Sequence, residues 1–324
     1  MKAFVTGGTG FIGSHLVDQL LDSPEYSEVR CLVRSNEKWL TGKPIIKVSG
    51  DLNDLKALSE GLDDADVLFH IAAIVKAPDE NTFLQANVES TENLIRLAQK
   101  KNVKNLVILS SLAAVGPSNG APVDETAPLN PVSMYGRSKK EMEKRVRNAD
   151  RKTESIKIIR PPAVYGPRED QIFSFFKSCS KGICPIIGNG KRPRVSMVYV
   201  SDLVNGIIKA AEKTDPGVFT YFISGPDTYN WDQIRSVTGK VLGRRTIPLK
   251  ISPKIVKKAA GIFEDVASFF GKYPVVNREK ANELVLEWTC SNEKAQKELN
   301  YKPEVSLAEG ISRTIHWYKI HNWL

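Results

Sequence analysis

Cysteine and histidine are scarce in this chain, with four of each in 324 residues. Cys31, Cys179, Cys184 and Cys290 show no metal-type spacing and Cys31 falls inside an apolar strand, so reduced thiols are expected and a disulfide is not. His15, His70, His316 and His321 form no ligand pattern, so no metal site is expected either. No uninterrupted apolar run is long enough to cross a bilayer, and no basic segment with an apolar signal region precedes the first strand, which points to a cytoplasmic protein. Internal repeats and low-complexity tracts are absent. Acidic residues are in deficit, 37 against 46 Lys and Arg, for a formal charge of +9 and a pI near 9.2. That balance admits an acidic ligand or an anionic surface. The cations are spread along the chain without interleaved aromatics, so nucleic acid is not an expected partner.

What remains is an ordinary globular composition, 41% hydrophobic and 26% charged, long enough for one large α/β unit and a smaller partner. Short apolar strands at Ala3 to Val5, Val29 to Val33, Ile45 to Val48, Val67 to Phe69, Leu106 to Leu109 and Ile156 to Ile159 alternate with helical patterns. The helices fall near Ile12 to Leu21, Leu55 to Gly61, Thr82 to Lys101 and Tyr135 to Asn148. Such alternation predicts an α/β fold, a doubly wound parallel sheet whose ligand lies at the carboxyl ends of the strands. The pattern breaks after Arg160-Pro161-Pro162 into Pro- and Gly-rich stretches. Residues 1–165 are therefore expected to form the cofactor-binding unit, with later segments returning to it, and 166–324 mainly a substrate-capping region.

Thr6-Gly7-Gly8-Thr9-Gly10-Phe11-Ile12-Gly13 follows the first strand and opens the first helix. Gly7, Gly10 and Gly13 allow a sharp turn and close approach of a pyrophosphate, while the N–H groups around Phe11 and Ile12 and the helix dipole favour its charge. Further on, Tyr135-Gly136-Arg137-Ser138-Lys139 opens a helix and stacks a phenol and an ammonium on one face. A neighbouring ammonium favours the phenolate, so the Tyr135 pKa is expected to fall from about 10 toward working pH, as a general acid or base requires. Ser111, at the end of the strand Leu106 to Leu109, can donate a hydrogen bond to a substrate carbonyl. Ser111, Tyr135 and Lys139 are the candidate catalytic residues.

These motifs, together with Gly50-Asp51-Leu52, His70-Ile71-Ala72-Ala73, Asn87-Val88 and Arg160-Pro161-Pro162-Ala163-Val164-Tyr165-Gly166-Pro167, resemble the extended short-chain dehydrogenase/reductase family. That group holds nucleotide-sugar epimerases and dehydratases, 3β-hydroxysteroid dehydrogenases and dihydroflavonol-reductase-like enzymes. The resemblance covers nearly the whole chain and implies a Rossmann domain and a small-molecule substrate. It also implies a homodimer through the helices near Thr82 to Lys101 and Tyr135 to Asn148. It further implies that Asp51 and Leu52 hold adenine, that Ala72 and Ala73 line the cofactor, that Lys139 also binds the nicotinamide ribose, and that Pro161 to Val164 meet the nicotinamide. Ser90 stands where the family's Asn-Val-x-Gly-Thr has glycine. Dehydratases of the family place Asp and Glu after the residue matching Ser111; here Leu112 and Ala113 stand there, which disfavours dehydration. Nucleotide-sugar enzymes commonly carry Arg-Asp before the strand Met197 to Val200, where this chain has Val195-Ser196 with Arg194 one position away. Hydride exchange with a carbonyl or alcohol fits best, and a nucleotide-sugar 4-epimerase is the alternative. A non-catalytic nicotinamide-sensing protein is weakened by the presence of all three catalytic candidates.

The second strand ends Val33-Arg34-Ser35, and a cation there favours NADP(H), while Glu37 keeps NAD(H) open. Lys254 to Phe270 forms an apolar helical stripe through Phe263, Val266, Phe269 and Phe270 with lysines beside it. Packing on the core of the small region is its plainer reading; a lid over an apolar substrate, with lysines touching an anionic membrane surface, is the sharper one.

Overall fold

The computed structural model describes residues 1–148, 154–269 and 278–324, with 262–269 described by their backbone alone. The first half alternates as expected: β1 (Lys2–Thr6), α1 (Phe11–Asp22), β2 (Glu28–Val33), β3 (Ile46–Ser49), α2 (Leu55–Leu62), β4 (Val67–His70), α3 (Glu80–Phe83), α4 (Ser90–Lys100), β5 (Asn105–Leu109), α5 (Met134–Asn148) and β6 (Ser155–Arg160). A π-helical segment, Leu84–Glu89, joins α3 to α4. The helical stretch thus starts before Thr82 and carries a wider turn that apolar periodicity does not reveal. The second half adds β7 (Ala163–Tyr165), α6 (Phe173–Ser180), β8 (Ile183–Ile187), β9 (Arg194–Tyr199), α7 (Val200–Glu212), β10 (Gly217–Phe222), β11 (Thr228–Asn230), α8 (Trp231–Val241), β12 (Ile247–Ile251), α9 (Pro253–Phe269), α10 (Arg278–Leu284), α11 (Glu293–Leu299) and α12 (Leu307–Ile320).

Seven strands form one parallel sheet in the order β10-β6-β5-β4-β1-β2-β3. Helices α1 and α7 cover one face, burying Leu16, Val17, Leu20, Leu203 and Ile207 against Val5, Phe69 and Val107. Helices α2, α4 and α5 cover the other, with Leu58, Leu94, Met142 and Val146 against Phe4, Leu68 and Ile158. Coverage on both sides explains why the central strands β4 and β5 read as nearly continuous apolar runs rather than alternating ones. The order reverses between β1 and β4, which opens a ligand crevice beyond the strand ends. Helix α7 and strand β10 return from the second half, β10 pairing with β6 from Gly217↔Ser155 to Phe222↔Arg160. The rest of that half builds two small sheets, β11-β9-β7 and β12-β8, beside an apolar cluster that includes Tyr165, Phe176, Tyr199, Ile311 and Tyr318.

Cys179 and Cys184 are joined in a disulfide, where the sequence predicts free thiols. Cys179 closes α6 and Cys184 lies in β8, and the tight return through Lys181-Gly182 brings their Cα atoms to 4.6 Å, within reach of one S–S bond. A five-residue spacing carries that information only once the turn between helix and strand is known. Cys31 and Cys290 are free, and burial pushes both thiols up to about 12. Among the described residues no helix is long and apolar enough to cross a membrane. The stripe expected to cover the substrate mouth lies largely outside the described residues: this holds for Phe270 and for the side chains of Phe263, Val266 and Phe269.

Candidate active site

Strands β1, β4, β5 and β6 all deliver their carboxyl ends to one edge, and the candidate residues sit on the segments that leave them. Gly7 leaves β1 at φ +78°, a conformation that favours glycine, and a Cβ there would lie 2.5 Å from the Ala72 nitrogen. The Gly-rich turn is therefore seated directly on the segment leaving β4. A Cβ on Gly13 would fall 2.1 Å from the Gly7 carbonyl oxygen, so α1 can start this close to β1 only without a side chain at that position. Gly10, the residue before α1, makes no side-chain cap, and the first turn of α1 carries no acid. The N–H groups of Phe11, Ile12 and Gly13 are left facing the crevice, which is the arrangement a pyrophosphate requires. The chain fits a dinucleotide here.

At the end of β2 the exposed Arg34 guanidinium has no ion-pair or hydrogen-bond partner among the described residues, whereas Glu37 is engaged by Lys47 at 3.0 Å. The Gly50 N–H donates to the Val33 carbonyl at 3.1 Å, which places Asp51 beside Arg34. Asp51 is exposed and accepts from the Asn53 N–H at 2.8 Å, while Leu52 leans on the core. Ala72 and Ala73 are half-buried after β4. Pro161 is buried, its carbonyl accepting from the Leu112 N–H at 2.9 Å, and Val164 packs half-buried in β7.

Tyr135, Lys139 and Ser111 come together because α5 lies against the short turn that follows β5. Gly136 permits this: a Cβ on it would sit 2.4 Å from the Ala113 carbonyl oxygen. The Ser111 hydroxyl lies near the Tyr135 phenol and acts on its protonation, and Ser111 Oγ accepts from the Ala113 N–H at 3.1 Å. Neighbouring Ser110 is turned away, donating to Glu143 at 2.6 Å in a buried cluster with Arg160, which binds the same carboxylate through two bonds of 2.9 and 2.6 Å. The pair of serines is thus divided between crevice and core.

The protonation of Tyr135 runs against expectation. Burial pushes the phenol up to about 12, the nearby Ser111 hydroxyl only partly opposes this, and the Glu283 carboxylate adds to the rise. Lys139 does not pull it down because its ammonium is buried and donates to the Leu109 carbonyl at 2.8 Å. Burial also lowers Lys139 itself, to about 8. Without a cofactor, then, the site holds a neutral phenol.

Two supports carry no signal in sequence spacing. One is a buried polar chain from the Gly-rich turn to α5. Thr6 Oγ1 meets His70 Nδ1 at 2.7 Å and His70 Nε2 meets Thr91 Oγ1 at 2.8 Å. Thr91 donates to the Asn87 carbonyl, Asn87 Nδ2 donates to Ser138 Oγ at 3.1 Å, and Ser138 donates to the Tyr135 carbonyl at 2.8 Å. Because the single Thr91 proton goes to Asn87, His70 must donate from Nε2 and accept from Thr6 at Nδ1. Burial keeps it neutral, with its pKa lowered to about 3. The π-helical segment supplies Asn87, which also clamps Ile74 by paired bonds of 2.9 and 3.0 Å. The second support is α10. Glu279 accepts from the Met134 N–H at 3.0 Å and Glu283 from the Ser133 hydroxyl at 2.5 Å, so two carboxylates from a distant helix cap the start of α5.

The sequence model of the NAD dependent epimerase/dehydratase family matches residues 3–223. A ceramide reductase of Caulobacter vibrioides is 26% identical over 99% of this chain and 95% of its own length. A 3β-hydroxysteroid dehydrogenase/isomerase of Mycobacterium tuberculosis is 28% identical over 98% and 90%. Among solved structures, a dTDP-glucose 4,6-dehydratase of Streptomyces venezuelae with NAD bound superposes at a TM-score of 0.80, with 26% identity and coverage of 100% and 98%.

Proposed function

The chain belongs to the NAD-dependent epimerase/dehydratase family, and from that premise we propose that it is an oxidoreductase exchanging a hydride between NADP(H) and an apolar ketone or secondary alcohol. The observation that carries the reading is the grouping of Ser111, Tyr135 and Lys139 at the end of β5, opposite the uncapped start of α1, with the buried Leu112 and with Ala113 where a dehydratase needs acids. A bound nicotinamide supplies or accepts the hydride. Ser111 holds the substrate oxygen, and Tyr135 donates its proton to the alkoxide that develops as the carbonyl is reduced. Lys139 keeps a positive charge one helical turn behind the phenol. A phenol neutral at pH 7 carries the proton that carbonyl reduction consumes.

The unpartnered Arg34 supports NADP(H), because a guanidinium at that strand end can pair with a 2′-phosphate. The ceramide reductase and hydroxysteroid dehydrogenase relatives support a largely apolar substrate. A nucleotide-sugar 4-epimerase is the competing reading; Arg194, at the start of β9, stays in its favour, although its guanidinium donates to Thr228. The test is stoichiometric. Incubation with NADPH or NADH and a panel of apolar ketones is expected to give a net loss of nicotinamide absorbance equal to the alcohol formed. Conversion of a nucleotide sugar with no net absorbance change would replace this reading by epimerisation.

A further inference from the structure

The two-stranded sheet β8-β12 presents one outer face made wholly of apolar residues. The strands are parallel, Ile183 pairing with Ile247 and Pro185 with Leu249, so Ile183, Pro185 and Ile187 share a side with Ile247, Leu249 and Ile251. The alternate residues of β8, Cys184 and Ile186, point inward and are fully buried. Outward, Ile183 is 50%, Ile247 67% and Leu249 53% exposed, and Ile255, in the first turn of α9 directly after β12, is 60% exposed. Soluble proteins scatter such residues singly; four on neighbouring elements make a patch that calls for a partner.

The charge around the patch identifies that partner. From Ser236 to Phe263 the sequence has seven Lys and Arg and no Asp or Glu, whereas the whole chain has a net charge of only +9. Arg244 and Arg245 precede β12, Lys250 lies in it, and Lys254, Lys257 and Lys258 follow on α9; all six are exposed. Beside them a hollow of 610 Å³ has Arg235, Lys240, Arg244 and Arg245 in its lining; Arg235 also meets Asp232 at 3.8 Å, so the net charge of that lining comes from the other three. A protein partner with an apolar epitope would not require so one-sided a field. Apolar side chains rimmed by an excess of exposed cations are what an anionic bilayer surface attracts, through burial of the former below the headgroups and attraction of the latter to the lipid charge.

We propose that the face formed by β8, β12 and the start of α9 is a membrane-docking surface selective for anionic phospholipid. Ile183, Ile247, Leu249 and Ile255 enter the interface and the flanking cations meet the headgroups. The hollow lined by Arg235, Lys240, Arg244 and Arg245 has room for one headgroup phosphate. The inference stands apart from the substrate assignment, because binding to vesicles needs no turnover.

Sedimentation with vesicles tests it on the full chain. Vesicles of phosphatidylcholine with about 30 mol % phosphatidylserine should bring down the protein, and pure phosphatidylcholine should bring down at least ~10-fold less, with the difference collapsing at about 0.5 M salt. Lys254→Glu/Lys257→Glu/Lys258→Glu, at exposed positions, should lose anionic-vesicle binding by at least ~10-fold while keeping the parental melting temperature. Ile247→Ser/Leu249→Ser should lose it as well. Absence of binding, equal binding to neutral and anionic vesicles, or an unaffected triple-Glu variant would overturn the proposal. So would a dimer in solution that Ile247→Ser/Leu249→Ser dissociates, since the face would then belong to a second copy of the chain.

Discussion

Replacing Lys139 by methionine should remove activity without removing stability, and the balance can be worked from its surroundings. The ammonium is 2% exposed and burial lowers its pKa from 10.5 to about 8. That difference corresponds to about 3 kcal/mol by which burial opposes the charged form at neutral pH. The bond to the Leu109 carbonyl at 2.8 Å returns about 1.5–3 kcal/mol, as a charged donor does. Methionine has nearly the same length and volume and needs neither. Lys139→Met is therefore expected to lie between unchanged and about 1.5 kcal/mol more stable at pH 7, where truncating an ordinary buried side chain costs about 2–5 kcal/mol. The pH dependence is diagnostic. Between pH 8 and 10.5 the unfolded chain still holds the lysine proton that the folded chain has released, so the parent gains stability relative to the variant by up to about 1.4 kcal/mol per pH unit. Urea unfolding followed by tryptophan fluorescence at pH 7 and pH 10 reads both quantities, and turnover should fall by at least ~100-fold in the same variant. A variant more than about 2 kcal/mol less stable than the parent at pH 7, or a stability difference indifferent to pH, would refute this account of the buried ammonium.

Tyr135→Phe should lower turnover by at least ~100-fold with cofactor affinity nearly intact, and a loss of only a few-fold would remove the phenol from the chemistry. Arg34→Ala should weaken NADPH by about 1–3 kcal/mol in fluorescence titration and leave NADH nearly unchanged; a parent that already prefers NADH contradicts the assignment. Glu143→Leu strands the buried Arg160 and should destabilise the fold by about 3–5 kcal/mol, most of it recovered in Glu143→Leu/Arg160→Met, which leaves no buried charge unpaired. Because the His70 pKa is about 3 in the fold against about 6.5 unfolded, stability should fall as the pH drops from 6.5 toward 3. The slope of that loss in urea unfolding should be shallower in His70→Gln.

The parallel sheet was legible because double coverage writes itself into the chain as apolar runs: β4 and β5 are buried at every position and almost wholly apolar. The Gly-rich turn was legible for a related reason. Gly7 and Gly13 stand where a side chain would strike backbone, so the geometry of the crevice is recorded in residue type. What escaped was whatever depends on pairing distant segments. The capping of α5 by Glu279 and Glu283 joins positions about 145 residues apart, and no local pattern marks those two glutamates among the chain's other acids. The Cys179–Cys184 bond escaped for the opposite reason, being so local that it depends on a turn whose shape five residues do not declare.

Tyr135 shows where spacing stops being a guide to chemistry. Four residues on a helix guarantee that the phenol and ammonium share a face, and from that a depressed phenol pKa follows only if the ammonium is the strongest influence on the ring. In the folded protein it is not. Lys139 turns its charge to the Leu109 carbonyl, and desolvation governs both groups, raising the phenol and lowering the amine. Both shifts lean toward the uncharged forms, yet at pH 7 only the phenol is uncharged: an amine whose pKa is lowered to about 8 still carries its proton there. The consequence is directional: a neutral phenol is ready to give a proton at pH 7, whereas taking one requires a phenolate whose population grows about tenfold for each unit the pH rises toward 12. Any anion or cation that later enters the crevice beside the ring acts on that baseline, which sequence pattern could place but not set.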